Sequence, residues 1–148
     1  AIDRNNPTSN GFKKTGQRYQ YHKGNKISDY LFGWDECKLW TDLVLVENTF
    51  NAIWLRDKLN CSTNFGSFLS ESQIKKLVNS NVKSVALLWD GGASPRAEIA
   101  VRALKKTGIR AVFCQIEKQP DDYPFPVLEE IIRKARVAMK ERPEVNFI

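Results

Sequence analysis

Histidine and cysteine, the residues from which many metal sites and nucleophile triads are built, are scarce in this chain. His22 is the single histidine among 148 residues, which argues against a histidine-rich zinc site and against a Ser-His-Asp triad. The three cysteines, Cys37, Cys61 and Cys114, are isolated, odd in number and without metal-ligand spacing. We therefore predict buried free thiols in a reducing cytoplasm rather than a disulfide framework.

Long apolar runs and glycine-rich phosphate loops are also missing. No apolar run approaches the roughly 18 residues of a membrane helix, and the N-terminus lacks the charged-then-apolar pattern of a signal peptide. Because the chain begins at Ala1 rather than Met, we expect a processed or internal start. Neither the P-loop pattern nor the dinucleotide fingerprint occurs, which argues against the nucleotide-binding classes that depend on them.

Positive charge is plentiful, and most of the excess lies in the first 28 residues. The chain carries a net charge of +6. Residues 1–28 hold six cations against Asp3 alone, a local net charge of +5. One interpretation is a solvated tail. The other is a strip that binds phosphate, because aromatic and cationic side chains interleave between Arg18 and Lys23 as single-stranded nucleic acid sites require.

From residue 42 onwards the pattern alternates between strands and helices. Four apolar runs predict buried strands: Leu43–Glu47, Cys61–Asn64, Ser84–Trp89 and Ile109–Ile116. Each run is followed by a helical pattern, which predicts an α/β fold with a mostly parallel four-stranded sheet and helices on both faces. We divide the chain into residues 1–28, an extended basic arm or the end of a preceding subdomain, a connecting segment (29–41) whose aromatics pack on the next domain, and the α/β domain (42–148).

Helix boundaries follow from capping residues and apolar stripes. Asn48 or Thr49 caps a helix that extends to about Leu59, with an apolar stripe of Phe50, Ile53, Trp54 and Leu55. A capping box at 70–73 opens a helix that ends near residue 78.

Two further helices complete the pattern. Ser94 is predicted to cap the third helix, with Pro95 at its first position and Gly108 after its end at Lys106. The last helix spans 126–141.

Carboxylates follow two of the predicted strands. Glu47 ends the first strand and Asp90 follows the third, and the carboxyl ends of parallel strands are where α/β folds bind ligands. Oxygen atoms from two such carboxylates are suitable ligands for a divalent cation. The alternatives are a charge that favours the next helix for Glu47 and a tight turn for Asp90, since the glycines at 91 and 92 permit positive φ or close backbone approach. Asp121 and Asp122 lie in a loop where a helix cap is an equal alternative.

These segments resemble the Toprim domain shared by bacterial-type DNA primases, type IA and type II topoisomerases and some nucleases. Leu45–Ile53 is similar to the strand, V-E-G and helix of the first motif, and Phe65–Gln73 to the primase G-T-x-L-T-x-x-Q. Leu88–Ala97 resembles the D-G-D-x-A-G segment, and Lys118–Asp122 resembles K-D-P-D-D. Tyr30–Lys38 is similar to the primase L-Y-G-L-D-x-A-K. The likeness covers about residues 30–135 in order, and it favours the primase branch.

Three positions depart from the family pattern. Gly92 stands where the second aspartate of D-x-D is expected, Gln119 where K-D-P-D-D has its first aspartate, and Asn48 where a glycine follows the glutamate. Glu47 and Asp90 remain, so the resemblance implies weak, substrate-assisted binding of Mg²⁺ or Mn²⁺ rather than a preformed two-metal site.

The resemblance implies metal-dependent nucleotidyl transfer for RNA primer synthesis on single-stranded DNA, in the cytoplasm of a bacterium or a phage-infected cell. Glu47 and Asp90 would be catalytic metal ligands, joined by Asp121 and Asp122. Nucleoside triphosphates and the template would be its ligands, and a helicase or another replication protein its partner. The cations implied for template or triphosphate are Arg18, Lys23, Lys26 and Arg96.

Two alternatives remain open. Gly92 and Gln119 favour a catalytically degenerate Toprim domain that binds nucleic acid or another replication protein. A Toprim nuclease ranks lower, because the segment at 31–38 resembles primases.

Overall fold

The computed structural model describes residues 27–141, and the alternation of strands and helices that the sequence predicts is present in it. The helices and strands follow in chain order: α1 (Trp34–Cys37), β1 (Asp42–Val46), α2 (Thr49–Arg56), β2 (Cys61–Thr63), α3 (Glu71–Val78), β3 (Ser84–Leu87), α4 (Ser94–Lys106), β4 (Arg110–Phe113) and α5 (Phe125–Glu141). Short 3-10 turns occupy Ile27–Asp29, Gly91–Ala93 and Pro120–Asp122.

The four strands form one sheet in the order β2-β1-β3-β4, and every pairing is parallel. Leu45 in β1 is paired with Ser62 in β2 and with Leu87 in β3. The predicted α/β fold class is therefore confirmed, and the architecture is Rossmann-like. Because all strands run the same way, their carboxyl ends lie along one edge of the sheet, which the loops before α2, α4 and α5 border.

Both faces of the sheet are covered by helices, which explains why its strands are apolar at nearly every position. Leu43, Leu45, Val85 and Leu87 pack on one face in a cluster with residues of α3 and α4. The alternate positions Val44, Val46, Ala86 and Leu88 pack on the other face with residues of α2 and α5. Full burial of a valine or leucine side chain stabilises the fold by roughly 1.5–3 kcal/mol.

The segment before β1 is part of the core, as its aromatic residues predict. Trp34 and Trp40 pack against the cluster on the α3 and α4 face, and Phe32 packs against the opposite one. Arg56, the last residue of α2, forms an ion pair with Glu36 of α1. The connecting segment is thus fastened to the α/β domain from both faces of the sheet.

The predicted apolar stripe of α2 is wrong at two positions. Phe50 is 84% exposed and Ile53 is 54% exposed, whereas Asn51, Ala52 and Leu55 are buried. The capping choice that the sequence left open falls on Asn48, whose side chain accepts a hydrogen bond from the backbone of Asn51. The buried side of the helix carries Asn51, whose amide is satisfied by the contacts described below, together with Leu55 and the partly buried Trp54, and it leaves Phe50 and Ile53 on the solvent side. The helix also ends at Arg56, before the predicted Leu59.

The helix cap predicted from the sequence is present at α3 but not at α4. The capping box between Ser70 and Gln73 is present. At α4, however, the prediction of Ser94 as the cap is wrong: it is the first helical residue, and the cap position has no side-chain hydrogen bond. The reason is that the preceding 3-10 turn, capped by the side chain of Asp90, leads directly into the helix. Gly108 follows the end of α4 with φ 93°, as expected for a helix stop.

All three cysteines are free and buried, as the sequence predicts. Burial raises the pKa of the Cys61 thiol to about 12 and that of the Cys114 thiol to about 11. Burial also raises the pKa of the Cys37 thiol above its usual value. These side chains therefore act as small apolar core residues rather than as nucleophiles. Across residues 27–141, no helix is long and apolar enough to cross a membrane.

Candidate functional site

The two strand-end carboxylates lie next to each other. Glu47 directly follows β1, and Asp90 lies just beyond β3 on the neighbouring strand. Oε1 of Glu47 accepts a hydrogen bond of 3.0 Å from the backbone N–H of Asp90. Oδ2 of Asp90 in turn accepts one of 3.2 Å from the backbone N–H of Gly92. Each carboxylate is thus oriented through one oxygen, and both stand at the carboxyl edge of the sheet.

The turn after Asp90 is held against the strand beyond it. The backbone N–H of Gly91 donates to the carbonyl of Ile116 at 2.9 Å, and Asp90 and Ile116 form an isolated parallel bridge. A Cβ at Gly91 would lie 2.6 Å from Nε2 of Gln115, so a side chain there would have to displace the flexible end of an exposed residue rather than backbone. Neither glycine of this turn has a positive φ, so the suggested positive φ at these two positions is wrong.

Gly92 has a different environment from Gly91. A Cβ there would meet one atom within 4 Å, Oδ2 of Asp90 at 3.1 Å. The position therefore admits a side chain once that carboxylate moves by a few tenths of an ångström. A carboxylate at this position would stand beside Asp90, where the family pattern has its second aspartate.

Three carboxamides form a cluster beside the carboxylates that the sequence did not reveal. The amide cluster consists of Asn48, Asn51 and Gln119. Oε1 of Gln119 accepts hydrogen bonds from Nδ2 of Asn51 at 3.0 Å and from Nδ2 of Asn48 at 3.2 Å. Nδ2 of Asn51 also donates to Oδ1 of Asn48 at 3.2 Å. Asn51 is only 4% exposed, so it is an integral part of the packing at the start of α2.

The amide cluster fastens the loop before α5 to the first turn of α2. Oδ1 of Asn51 accepts a hydrogen bond of 3.2 Å from the backbone N–H of Asp121. Asp121 and Asp122 belong to the 3-10 turn Pro120–Asp122, which the structure therefore places beside α2. The one local signal for Asn51 was an asparagine three residues after a capping asparagine, and the apolar periodicity of the helix obscured it.

A divalent cation would find few protein ligands here. Among the side chains of the described residues, no group of three or more His, Cys, Asp and Glu residues could hold a metal ion. Glu47 and Asp90 are adjacent, whereas Asp121 and Asp122 do not join them in such a group. Mg²⁺ commonly takes one or two carboxylates together with waters and substrate phosphates. The pair of Glu47 and Asp90 is within this number of carboxylates.

Of the four cationic residues that were predicted to bind phosphate, the structure describes Arg96. Arg96 is exposed in the first turn of α4, and its Nη1 donates to Oγ of Ser67 at 3.3 Å. It thereby links α4 to the loop after β2, on the edge that carries the two carboxylates. Arg18, Lys23 and Lys26 lie outside the described residues.

Comparisons with known proteins indicate the fold. No protein-family model matches the chain, and no curated protein sequence matches it. A solved structure of the Aquifex aeolicus primase, comprising its zinc-binding and RNA polymerase domains, matches with a TM-score of 0.60 and 20% identity. The match covers 82% of this chain and 32% of the primase chain. The chain therefore shares the fold of part of a primase and spans about a third of that chain's length.

Proposed function

We propose that this chain is the Toprim-type domain of a primase-like replication protein. In this proposal, Glu47 and Asp90 bind one Mg²⁺ or Mn²⁺ together with the phosphates of a nucleoside triphosphate, for RNA primer synthesis on single-stranded DNA. The observation that carries it is the 3.0 Å contact that joins these residues at the carboxyl edge of the sheet. A pair of carboxylates could serve several chemistries, and the primase-like fold favours nucleotidyl transfer among them.

The side chains have distinct roles in this proposal. The backbone N–H of Asp90 orients Glu47, and the backbone N–H of Gly92 orients Asp90, so one oxygen of each carboxylate remains to bind the cation. The bound cation would stabilise the negative charge that develops on the reacting phosphate. Arg96, at the same edge, would hold a phosphate of the triphosphate or template through charge-assisted hydrogen bonds.

Primer synthesis by the full-length protein on a single-stranded template, followed with labelled nucleotides, tests the catalytic role. Glu47→Gln and Asp90→Asn should each lower the rate roughly 10²-fold or more, because each removes charge that stabilises the transition state. Glu98→Gln, at an exposed carboxylate on α4, is the matched control and should leave the rate unchanged. Wild-type priming by both site variants would exclude the catalytic role.

Calorimetry with Mn²⁺ tests the cation directly. We expect uptake in the presence of a non-hydrolysable triphosphate and little without it, because two carboxylates need the phosphate oxygens to complete the coordination. Glu47→Gln should abolish the uptake. Absence of uptake in both conditions would contradict the proposal.

The second candidate is a catalytically degenerate Toprim domain that binds nucleic acid or another replication protein. The amide cluster favours it, since hydrogen bonds between neutral side chains there fasten the loop before α5 without a cation. This candidate predicts that the protein binds a single-stranded oligonucleotide or a replication protein, yet takes up no Mn²⁺ and makes no primer. The same calorimetry and priming assays therefore separate the two.

A further inference from the structure

A groove lies between α1 and α3, away from the carboxylates. It has a volume of about 570 Å³ and is lined by Trp34, Lys38, Ser72, Lys75, Lys76 and Asn79, among others. None of these residues belongs to the amide cluster or to the Glu47 and Asp90 pair. The groove follows the length of α3, from its first turn to the residue after its end.

The connections of α3 place the far end of the groove at the opposite edge of the sheet. Near the start of α3, Nε2 of Gln73 donates to the carbonyl of Asn64, directly after β2. Just after α3, the backbone N–H of Asn81 donates to the carbonyl of Lys38 at 3.0 Å, shortly before β1 begins. Lys38 and the end of α3 therefore lie where the strands start, whereas Glu47 and Asp90 lie where they end.

Positive charge predominates in this groove. Three lysines line it, together with one carboxylate, Asp29. Lys38 is 3.8 Å from Asp35, but both side chains are largely exposed, so this pair neutralises little of the charge. Three ammonium groups around one cavity repel each other, and an anion in the groove would relieve that repulsion.

The favourable interaction of lysines with a helix dipole explains two of the three lysines in the groove but not the third. Lys75 and Lys76 lie in the last turn of α3, where cations interact favourably with the helix dipole. α4 ends in the same way, with Lys105 and Lys106, yet these two do not line the groove. The groove is distinguished by Lys38 and Trp34, which come from a separate element and add a third cation and an aromatic ring.

We propose that this groove binds the phosphate backbone of single-stranded nucleic acid, at a site separate from the carboxylates. The lysines would contact successive phosphates, and Trp34 would offer a ring on which an unpaired base can stack. The basic residues 1–26, with a net charge of +5, join the described chain two residues before Asp29 in the groove wall. A strand in the groove would therefore also lie near the entry point of the most basic part of the sequence.

Fluorescence anisotropy with a labelled oligothymidylate of about 15 nucleotides, titrated against the whole chain, tests the site. Lys75→Gln/Lys76→Gln should reduce the slope of log affinity against log salt by about 1.4, since each phosphate contact on a single strand contributes about 0.7. This corresponds to about 25-fold weaker binding at 0.1 M salt. Lys105→Gln/Lys106→Gln, which makes the same charge change at the same place in a neighbouring helix, should change affinity less than twofold. Equal losses in the two variants would overturn the proposal.

Photocrosslinking locates the strand independently of these variants. An oligonucleotide that contains iodouracil should crosslink to Trp34, and an oligoglutamate peptide of equal length should not compete at equal concentration. Crosslinks confined to other residues, or equal competition by the peptide, would overturn the assignment to nucleic acid. Glu47→Gln should leave this binding unchanged, so failure of the primase proposal and failure of this one are distinguishable.

Discussion

Replacing Asn51 by aspartate tests whether the amide cluster is what fastens α2 to the loop before α5. The substitution keeps the size of the side chain but replaces its amide nitrogen with an oxygen. In the native chain that nitrogen donates to Oε1 of Gln119 at 3.0 Å and to Oδ1 of Asn48 at 3.2 Å. Two hydrogen bonds would thus become two contacts between oxygens, around a charge at a position only 4% exposed.

The expected cost follows from these contacts. Each lost hydrogen bond lowers stability by about 0.5–1.5 kcal/mol, and an uncompensated buried charge brings the total to about 3–5 kcal/mol at pH 7. Burial and the facing oxygens would raise the pKa of the new carboxyl group above its unfolded value of about 3.9. The part of the penalty that comes from the charge is therefore absent below that value, grows with pH until the raised pKa is passed, and is constant above it.

Urea unfolding followed by circular dichroism at pH 7 and at pH 4 measures this cost. Asn79→Asp, at an exposed amide after α3, is the control and should cost less than about 1 kcal/mol at either pH. Mn²⁺ should recover part of the lost stability of Asn51→Asp, because three side-chain oxygens then converge on one point, and should leave the control unchanged. A cost at pH 7 no greater than that of the control would refute the role of the amide cluster.

Four further outcomes are expected. Ser70→Ala removes the capping box of α3 and should lower the free energy of unfolding by about 1–2 kcal/mol, read from urea titrations; no change would contradict the cap. On α2, Leu55→Ala should cost about 2–5 kcal/mol and Phe50→Ala less than about 0.5 kcal/mol, whereas equal costs would contradict the buried face described here. Gly92→Asp should allow Mn²⁺ uptake without a triphosphate, measured by calorimetry, and unchanged uptake would show that the position does not complete a cation site. Cys61, whose thiol pKa is about 12, should not react with a disulfide reagent at pH 8 until the chain unfolds, and its contribution to stability should fall as pH rises from about 9 to about 12.

The order and type of the elements could be predicted because the signals are local. Apolar runs separated by capping residues are visible within a few positions of the sequence, and the capping box of α3 is contained in four residues. Prediction failed where an element depends on its neighbours. Ser94 has the residue type of a cap, but the 3-10 turn that Asp90 caps takes the chain directly into α4. The apolar stripe assigned to α2 counted Phe50 as buried, because periodicity alone does not say which side of a short helix meets the sheet.

The candidate site, too, could be predicted from the sequence only in part. Glu47 and Asp90 could be placed from the sequence, because both follow buried strands and parallel strands end at one edge. The amide cluster could not, because Gln119 is separated from Asn51 by 68 positions and its role depends on how the loop before α5 folds back. The same holds for the groove, which Lys38, directly after α1, and two lysines of α3 line together with Trp34.

The sequence by itself thus determined which segments become strands and helices, where most of them begin, and that two carboxylates end up on one edge of a parallel sheet. These properties depend on backbone preferences and periodicity over short stretches. Only the tertiary structure decided which face of α2 is buried, which amides bond to one another, and that Lys38, directly after α1, lines the same groove as the lysines of α3. Those contacts join residues far apart in the chain, and the packing of helices on both faces of the sheet sets their distances.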